Sequence, residues 1–197
     1  MLAALALAAF WAALVLLAGC GILNPDGDEK DDIDNLKPYP ILSFPSQVLE
    51  ALELAYQRRD SVKVKDLYDS TYTGQSLDLT DPGSTIDVTF GDEVAHVAAL
   101  ARASGLSAYL ELGSDQTWDR LPSDDPSHPE WAVIQITGSG YSVEIYDGAN
   151  SFGAHGEAGT FLEFAFEPTL DTTSPTDTLW KIVRWKETGK SEPPQSP

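Results

Sequence analysis

The residue of this sequence that most clearly suggests a chemical role is its cysteine. Cys20 is the single cysteine among 197 residues, and it follows Leu17-Ala18-Gly19 at the end of an apolar, uncharged segment. Lipoprotein processing needs a large apolar residue, two small residues and then a thiol, because the thiol accepts a diacylglyceryl group. The spacing therefore predicts a lipid on Cys20 and cleavage of the chain just before it.

Residues 1–19 form the segment that precedes this cysteine. They contain no charged side chain and consist mostly of Ala and Leu. Their length suits the apolar core of a signal peptide or a short membrane anchor. The signal-peptide interpretation also explains Gly19 and the thiol. A leader usually starts with basic residues, and Met1-Leu2-Ala3 has none, so two alternatives stay open: a retained anchor, and a true start codon upstream of Met1.

The charge of the chain excludes several classes of function. The net charge is −19, with 12 basic and 31 acidic residues. Nucleic-acid binding depends on basic contacts to phosphate, and anionic lipid headgroups repel such a surface, so neither partner is expected. With one cysteine there can be no intramolecular disulfide and no thiolate metal site. The protein must fold by burial of apolar surface.

The remaining chemistry-bearing residues match no strong catalytic or metal motif. His96, His128 and His155 do not form a helical metal-binding pair. Neither a phosphate-binding Gly-rich loop followed by Lys-Ser or Lys-Thr nor a Gly-x-Ser-x-Gly elbow is present. We therefore expect no metal and no cofactor. His96 lies beside the apolar stripe of a predicted helix, where a histidine is more often a hydrogen-bonded packing residue than a base.

Residues 20–45 are predicted to form a flexible acidic tether. They are rich in Asp and Pro and poor in apolar side chains, so burial cannot offset their ordering entropy. The segment that starts at Asp26 does not match a calcium-binding EF-hand loop, because Lys30 and Lys37 occupy its fifth and twelfth positions, where the loop needs oxygen ligands. Residues 189–197 are likewise predicted to be a disordered tail, which leaves residues 46–188 as the folded domain.

Alternation patterns predict an α+β domain. Ser46 is a plausible N-cap for a first helix whose buried stripe is Val48, Leu49, Leu52, Ala55 and Tyr56. Asp60 can cap a second, shorter helix through about Tyr68, although Val62 and Val64 would also suit a strand. Gly91-Asp92-Glu93 opens a third helix, with Val94, Val97, Ala98 and Ala101 as its stripe. Extended segments are predicted at 71–80, 85–90, 106–113, 131–147, 160–167 and 178–186.

Two irregular regions stand out between these elements. Residues 114–130 form a long acidic loop that carries Trp118, and loops of this length are often lids or binding edges. The alternation phase changes at Gly138-Ser139-Gly140, which indicates either a β-bulge in one long strand or a tight hairpin between two short ones. The last strand is apolar on both faces and is therefore expected at the centre of a sheet.

The order of elements resembles the NTF2-like, or cystatin-like cone, superfamily. The resemblance rests on Val48-Leu49-Glu50-Ala51-Leu52 with Ala55-Tyr56 and Arg59-Asp60, on the Glu93–Ala101 helix, and on Leu179-Trp180-Lys181-Ile182-Val183-Arg184-Trp185. It implies a curved, mostly antiparallel sheet that wraps around about three helices and leaves a conical cavity. It also favours the bulge over the hairpin.

The superfamily that the sequence resembles includes ketosteroid isomerase and polyketide cyclases of the SnoaL type. In these enzymes a carboxylate or histidine in the cone abstracts a proton, and a Tyr or an acid stabilises the oxyanion. We aligned Asp60, without gaps, with the Asp that follows the first helix of ketosteroid isomerase. Leu52 then stands where the isomerase has the Tyr that donates a hydrogen bond to the oxyanion, and Ser76 stands where it has its general base. The catalytic pair is therefore missing from this alignment. His96 and Asp78 are the weak candidates for a base. The speculative cone lining is Tyr56, Tyr72, His96 and Trp118.

Three functional hypotheses follow. The first is a lipid-anchored envelope protein whose non-catalytic domain binds a small apolar ligand or a partner protein, with a homodimer through the sheet as one form of partner. The second is an isomerase- or cyclase-like enzyme that uses His96 or Asp78. The third is a structural role in envelope assembly. In a Gram-negative envelope, Gly21 after the lipidated cysteine favours the outer membrane.

Overall fold

The computed structural model describes residues 37–77, 84–113, 118, 120–137, 140–148, 150–156, 158–170 and 178–188. The predicted leader, the lipid site Cys20, most of the predicted tether, the candidate base Asp78 and the predicted tail lie outside the described residues. Within the described ranges, no helix has the length and apolar character needed to cross a membrane.

Three helices are described: α1 (Pro45–Gln57), α2 (Ser61–Leu67) and α3 (Phe90–Arg102). The α1 helix begins two residues earlier than predicted, because its N-cap is Phe44 in place of Ser46 and Pro45 occupies the first helical position. The prediction for α2 is confirmed, since the Asp60 carboxylate accepts the Lys63 N–H at 2.9 Å. Thr89 caps α3 through a reciprocal pair of hydrogen bonds with Asp92.

The buried faces of α1 and α3 differ in how well the sequence predicts them. All five predicted α1 stripe residues are buried. In α3 the buried residues are His96, Val97 and Leu100, whereas Ala101 is exposed, which corrects the predicted stripe. Small alanines on several faces of α3 give little contrast, so the packing partners decide which side faces inward.

Nine strands are described, and they form two sheets. One has the order β2-β1-β9-β8-β5-β4 and the other β3-β6-β7, and every pairing is antiparallel except β1 with β9. The predicted fold class is confirmed: an α+β domain with a curved, mostly antiparallel sheet around three helices. The strand bounds are β1 Tyr68–Leu77, β2 Thr85–Thr89, β3 Leu106–Glu111, β4 Arg120–Pro122, β5 Ala132–Thr137, β6 Ser142–Asp147, β7 Asn150–His155, β8 Phe161–Leu170 and β9 Thr178–Thr188.

The region of the predicted phase change lies where the chain passes between the sheets. The β5 strand pairs with β4 and β8, whereas β6 pairs with β3 and β7. The two strands do not pair with each other, so the hairpin alternative is wrong. The β7 strand was not among the predicted extended segments. It lies in a Gly-rich part of the chain, and its pairing with β6 provides an order that its own residue pattern does not indicate.

The β9 strand lies at the centre of the larger sheet, as predicted. It pairs with β1 on one side and with β8 on the other. Its Ile182 joins the main core beneath the helices, and its Val183 packs with Val133 and Ala165 on the opposite face. The strand is therefore apolar on both sides because both sides are covered.

The segment 37–44 packs against the domain, although the sequence assigns it to the tether. The Tyr39 hydroxyl donates to Asp60 Oδ2 at 3.0 Å, and the Leu42 carbonyl accepts the Trp180 N–H at 2.9 Å. The Arg58 guanidinium lies over the Tyr39 ring, 4.6 Å from its centroid. These contacts make the end of the predicted tether part of the folded unit.

Candidate functional site

Six polar or aromatic side chains meet between the helices and the larger sheet, and we call them the interior cluster: Tyr56, Tyr68, Tyr72, Glu93, His96 and Trp185. Glu93 and His96 are three residues apart on α3, which places them on one face of that helix. Tyr72 comes from β1, Tyr56 from α1 and Trp185 from β9. Residues remote in sequence are thus brought together by the packing of α1 and α3 against the sheet.

The Glu93 carboxylate is the centre of this cluster. Its Oε1 accepts hydrogen bonds from the Tyr72 hydroxyl at 3.0 Å and from the Trp185 indole N–H at 2.9 Å. Gly74 makes room for the arrangement, because a Cβ there would lie 2.4 Å from the Tyr72 hydroxyl oxygen and 2.8 Å from Trp185 Nε1. Burial raises the pKa of Glu93, while the two hydrogen bonds oppose that rise.

His96 and Tyr56 form the second contact of the interior cluster. The Tyr56 hydroxyl lies 2.5 Å from His96 Nε2, and the two side chains are buried. Burial lowers the pKa of His96 from 6.5 to about 4. The imidazole is therefore neutral at pH 7, and its Nε2 can accept a hydrogen bond from the Tyr56 hydroxyl. Burial also raises the pKa values of Tyr56, Tyr68 and Tyr72, so their hydroxyls stay protonated.

A second candidate region is a groove between α1 and β3, which we call the α1–β3 cleft. Its volume is about 530 Å³. The α1 helix contributes Glu50, Glu53 and Leu54, and the β3 strand contributes Tyr109 and Glu111. Trp118, from the predicted long loop, lines the same cleft together with Lys37, Gln57 and Leu110.

Leu112 fixes two of the side chains in this cleft. Its N–H donates to Glu53 Oε1 at 2.6 Å, and its carbonyl accepts the Trp118 indole N–H at 2.9 Å. Leu112 itself is buried. One buried residue directly after β3 therefore holds both the Glu53 carboxylate and the Trp118 indole ring in place.

Glu53 has the most perturbed carboxyl group in the cleft. Partial burial raises its pKa from 4.5 to about 7, and the charges of Glu111 and Glu50 add to the rise. The Leu112 N–H and the Lys37 ammonium act in the opposite direction. Glu53 consequently changes its charge near neutral pH, while it faces an open groove.

The predicted site residues fall into three groups. Tyr56, Tyr72 and His96 lie together in the interior cluster, whereas Trp118 lies in the α1–β3 cleft. None of the first three lines that cleft or the second groove of about 410 Å³, which lies along β3 and β6. Asp78 and Cys20 are outside the described residues. Among the described residues, no group of three or more His, Cys, Asp or Glu side chains could hold a metal ion.

Sequence reasoning missed three functional candidates: Glu93, Trp185 and Glu53. In the sequence, Glu93 looks like an acid in the first turn of a helix, where its negative charge interacts favourably with the helix dipole. Its spacing of three residues from His96 is the signal that could have suggested that the two side chains share one helix face. Glu53 has no such signal. Its carboxylate depends on Leu112, which is 59 residues away in the chain.

No protein-family model and no curated protein sequence matches this chain. It is similar in fold to an NTF2-like superfamily protein from Salmonella enterica serovar Typhimurium (9% identity, 77% of this chain and 92% of that chain, TM-score 0.46). It is also similar to an NTF2-like protein with a cystatin-like fold from Novosphingobium aromaticivorans (11%, 72% and 77%, TM-score 0.42). A ketosteroid isomerase-like protein from Erwinia carotovora atroseptica is similar as well (16%, 77% and 97%, TM-score 0.40). Likeness at this level carries no statement about activity.

Proposed function

We propose that this protein is a cell-envelope lipoprotein, anchored through a lipid on Cys20, whose domain binds a small ligand in the α1–β3 cleft without catalysis. The observation that carries the binding role is the cleft itself. Its volume of about 530 Å³ falls within the range of about 300–1,000 Å³ that small-molecule sites occupy. Its walls combine charged or polar side chains with apolar and aromatic ones, and the first group is the larger: Lys37, Glu50, Glu53, Gln57 and Glu111 against Leu54, Tyr109, Leu110 and Trp118. A ligand that fits this cleft therefore needs a polar or charged group as well as apolar surface.

The proposal moves the ligand from the conical interior to the cleft. In the interior cluster, Glu93 is hydrogen-bonded to Tyr72 and Trp185, and His96 contacts Tyr56. A ligand would have to displace these contacts, and each buried polar group that lost its partner would cost free energy. In the cleft, Glu53 and Trp118 are already oriented by Leu112 and still face the groove.

Ligand-observed NMR tests the binding role. The lipidated full-length chain would be placed in phosphatidylcholine nanodiscs and probed with benzyl alcohol by saturation transfer, with empty nanodiscs as the blank. We expect transfer to the probe in the wild type, its loss in Trp118→Ala, and its retention in Phe152→Ala, which changes an exposed ring outside the cleft. Equal transfer in all three proteins would place the ligand elsewhere.

Fractionation tests the anchor. We expect the wild type in the membrane fraction and Cys20→Ser in the soluble fraction, because the serine hydroxyl does not accept the diacylglyceryl group. If Cys20→Ser stays with the membrane, residues 1–19 are a retained anchor. Density-gradient separation of inner and outer membranes then checks the expectation, drawn from Gly21, that the protein reaches the outer membrane of a Gram-negative host.

A second candidate function is acid–base chemistry at the interior cluster. The Tyr56–His96 contact of 2.5 Å favours it, since a buried base within hydrogen-bond reach of a second polar group is what such chemistry needs. Against it, a pKa of about 4 makes His96 a weak base at neutral pH. Exchange of the α-protons of cyclohexanone in D₂O decides between the roles. We expect the rate of buffer alone; a faster rate that His96→Gln abolishes would establish catalysis.

A further inference from the structure

We propose that the α1–β3 cleft selects small organic cations, in which an ammonium group is attached to an apolar body. This ligand class rests on the proposed function, because it specifies what the same cleft would bind. Three properties of the cleft support this ligand class: its acids are only partly neutralised, two of its walls are aromatic, and Glu53 and Trp118 are held in place by Leu112.

The acids of the cleft are only partly neutralised. Lys37 forms an ion pair with Glu50 at 2.5 Å. Within the described part of the chain, neither Glu53 nor Glu111 has a basic group within ion-pair distance. An incoming ammonium group would therefore meet negative charge that Lys37, the cation in this cleft, compensates only in part. An anionic ligand would meet repulsion from the same groups and from the net charge of −19.

The aromatic walls favour an organic cation over a bare one. Trp118 and Tyr109 both line the cleft. The face of an indole or phenol ring attracts an ammonium group, and such rings also cover the apolar body of the ligand. The Trp118 ring does not have to be ordered on binding, because its N–H is already held by the Leu112 carbonyl at 2.9 Å. A small metal ion would use neither ring.

Glu53 gives the proposed selectivity a pH dependence. The charged groups around it are Glu50 on its own helix, Glu111 on β3 and Lys37 from the preceding segment. Its pKa of about 7 means that it gains its negative charge between about pH 6 and pH 8. We therefore expect the dissociation constant for an organic cation to fall by about fivefold across that range, while that for a neutral analogue stays constant.

The test compares three probes that share one ring: benzyltrimethylammonium, benzyl alcohol and benzoate. The lipidated full-length chain in phosphatidylcholine nanodiscs would be titrated at pH 8, with dissociation constants taken from saturation-transfer build-up. We expect the cation to bind about tenfold more tightly than the alcohol, and benzoate most weakly. Glu53→Gln combined with Glu111→Gln should remove the advantage of the cation and leave alcohol binding unchanged.

Glu130→Gln serves as the matched control, because it removes one exposed acid outside the cleft. It should leave the preference for the cation unchanged. If the cation and the alcohol bind equally to the wild type, the inference about cations is wrong and the proposed ligand site stands. If no probe binds, the proposed function fails and the inference fails with it.

Discussion

The interior cluster and the α1–β3 cleft both combine a glutamate with aromatic side chains, yet they differ in where the hydrogen bonds come from. Glu93 accepts both of its hydrogen bonds from side chains, Tyr72 and Trp185, which belong to the same core. Glu53 accepts one from a backbone N–H, that of Leu112, and lies in an open groove. The same pair of groups, a carboxylate and an aromatic ring, therefore lies in the protein core in one region and in an open groove in the other.

This difference separates structural from binding roles. A buried carboxylate whose donors are other core side chains holds those side chains together, and removing it leaves them unpaired. A partly buried carboxylate held by the backbone keeps its orientation while its charge remains available to a ligand. The first arrangement should dominate stability, and the second should dominate binding.

The sharpest test of the contrast is to remove one carboxylate from each region, Glu93 from the interior cluster and Glu111 from the α1–β3 cleft. Glu93→Ala leaves the Tyr72 hydroxyl and the Trp185 indole N–H unpaired in the core, so we expect it to lower the free energy of unfolding by about 3–5 kcal/mol. Glu111→Ala changes an exposed cleft acid and should stay within about 0.5 kcal/mol. Urea unfolding measures both, and equal effects would contradict the structural role of the interior cluster.

His96 provides a pH-dependent version of the same test. Its pKa in the folded protein is about 4, below its ordinary 6.5, so the folded state favours the neutral form. That stabilisation is complete above pH 6.5 and is lost as the pH falls toward 4. We expect the wild type to lose about 2 kcal/mol more than His96→Gln between pH 7.5 and pH 5, as measured by urea unfolding at each pH. Parallel profiles would show that His96 is not held neutral by the core.

Close packing around Glu93 can be probed without touching a polar group. Gly74→Ala places a Cβ within 3 Å of the Tyr72 hydroxyl oxygen and Trp185 Nε1, so we expect a loss of about 2 kcal/mol. Gly91→Ala is the matched control, because the nearest atom to its Cβ, Thr89 Oγ1, lies 3.7 Å away in ordinary contact. Thermal unfolding should separate the two variants. Equal melting temperatures would mean that the interior cluster tolerates a shift of either ring.

Local patterns predicted the elements better than they predicted the sites. The α1 stripe from Val48 to Tyr56 and the Asp60 cap follow from periodicity and from a single side chain, and both are present. The α3 stripe was less well predicted, because alanines on several faces weaken the contrast. The β7 strand was missed, since its order depends on pairing with β6 and not on its own residues.

The candidate site required contacts that no local pattern encodes. His96 and Tyr56 could be proposed separately, but their contact joins residues 40 positions apart. Glu93 looked like an ordinary first-turn acid until Tyr72 and Trp185 were found to donate to it. Trp118 was singled out in a predicted loop at 114–130, but residues 120–122 of that range form the β4 strand, whose order depends on pairing with β5. The placement of Trp118 in the cleft instead of the cone depends on the Leu112 carbonyl.

The smallest expected effect concerns Glu53, and its sign is opposite to that of His96. Its pKa is raised from 4.5 to about 7, so the folded state favours the protonated acid. The associated stabilisation is complete below pH 4.5 and is lost as the pH rises through 7. Glu53→Gln keeps an acceptor for the Leu112 N–H but carries no charge. We expect it to be about 1 kcal/mol more stable than the wild type at pH 8, after allowance for solvent screening, and equal to it near pH 4.5.

Thermal unfolding at the two pH values measures this difference, which corresponds to about 2–4 °C in Tm for a domain of this size. Addition of benzyltrimethylammonium should then reduce the advantage of Glu53→Gln at pH 8, because the cation binds more tightly to the protein that carries the charged Glu53 carboxylate and therefore stabilises that protein more. Glu93 has a raised pKa as well, but it is present in both proteins and cancels in the comparison. A Glu53→Gln variant that is less stable than the wild type at pH 8 would show that the ionised carboxylate serves the fold, as Glu93 does, and would remove the contrast between the two regions.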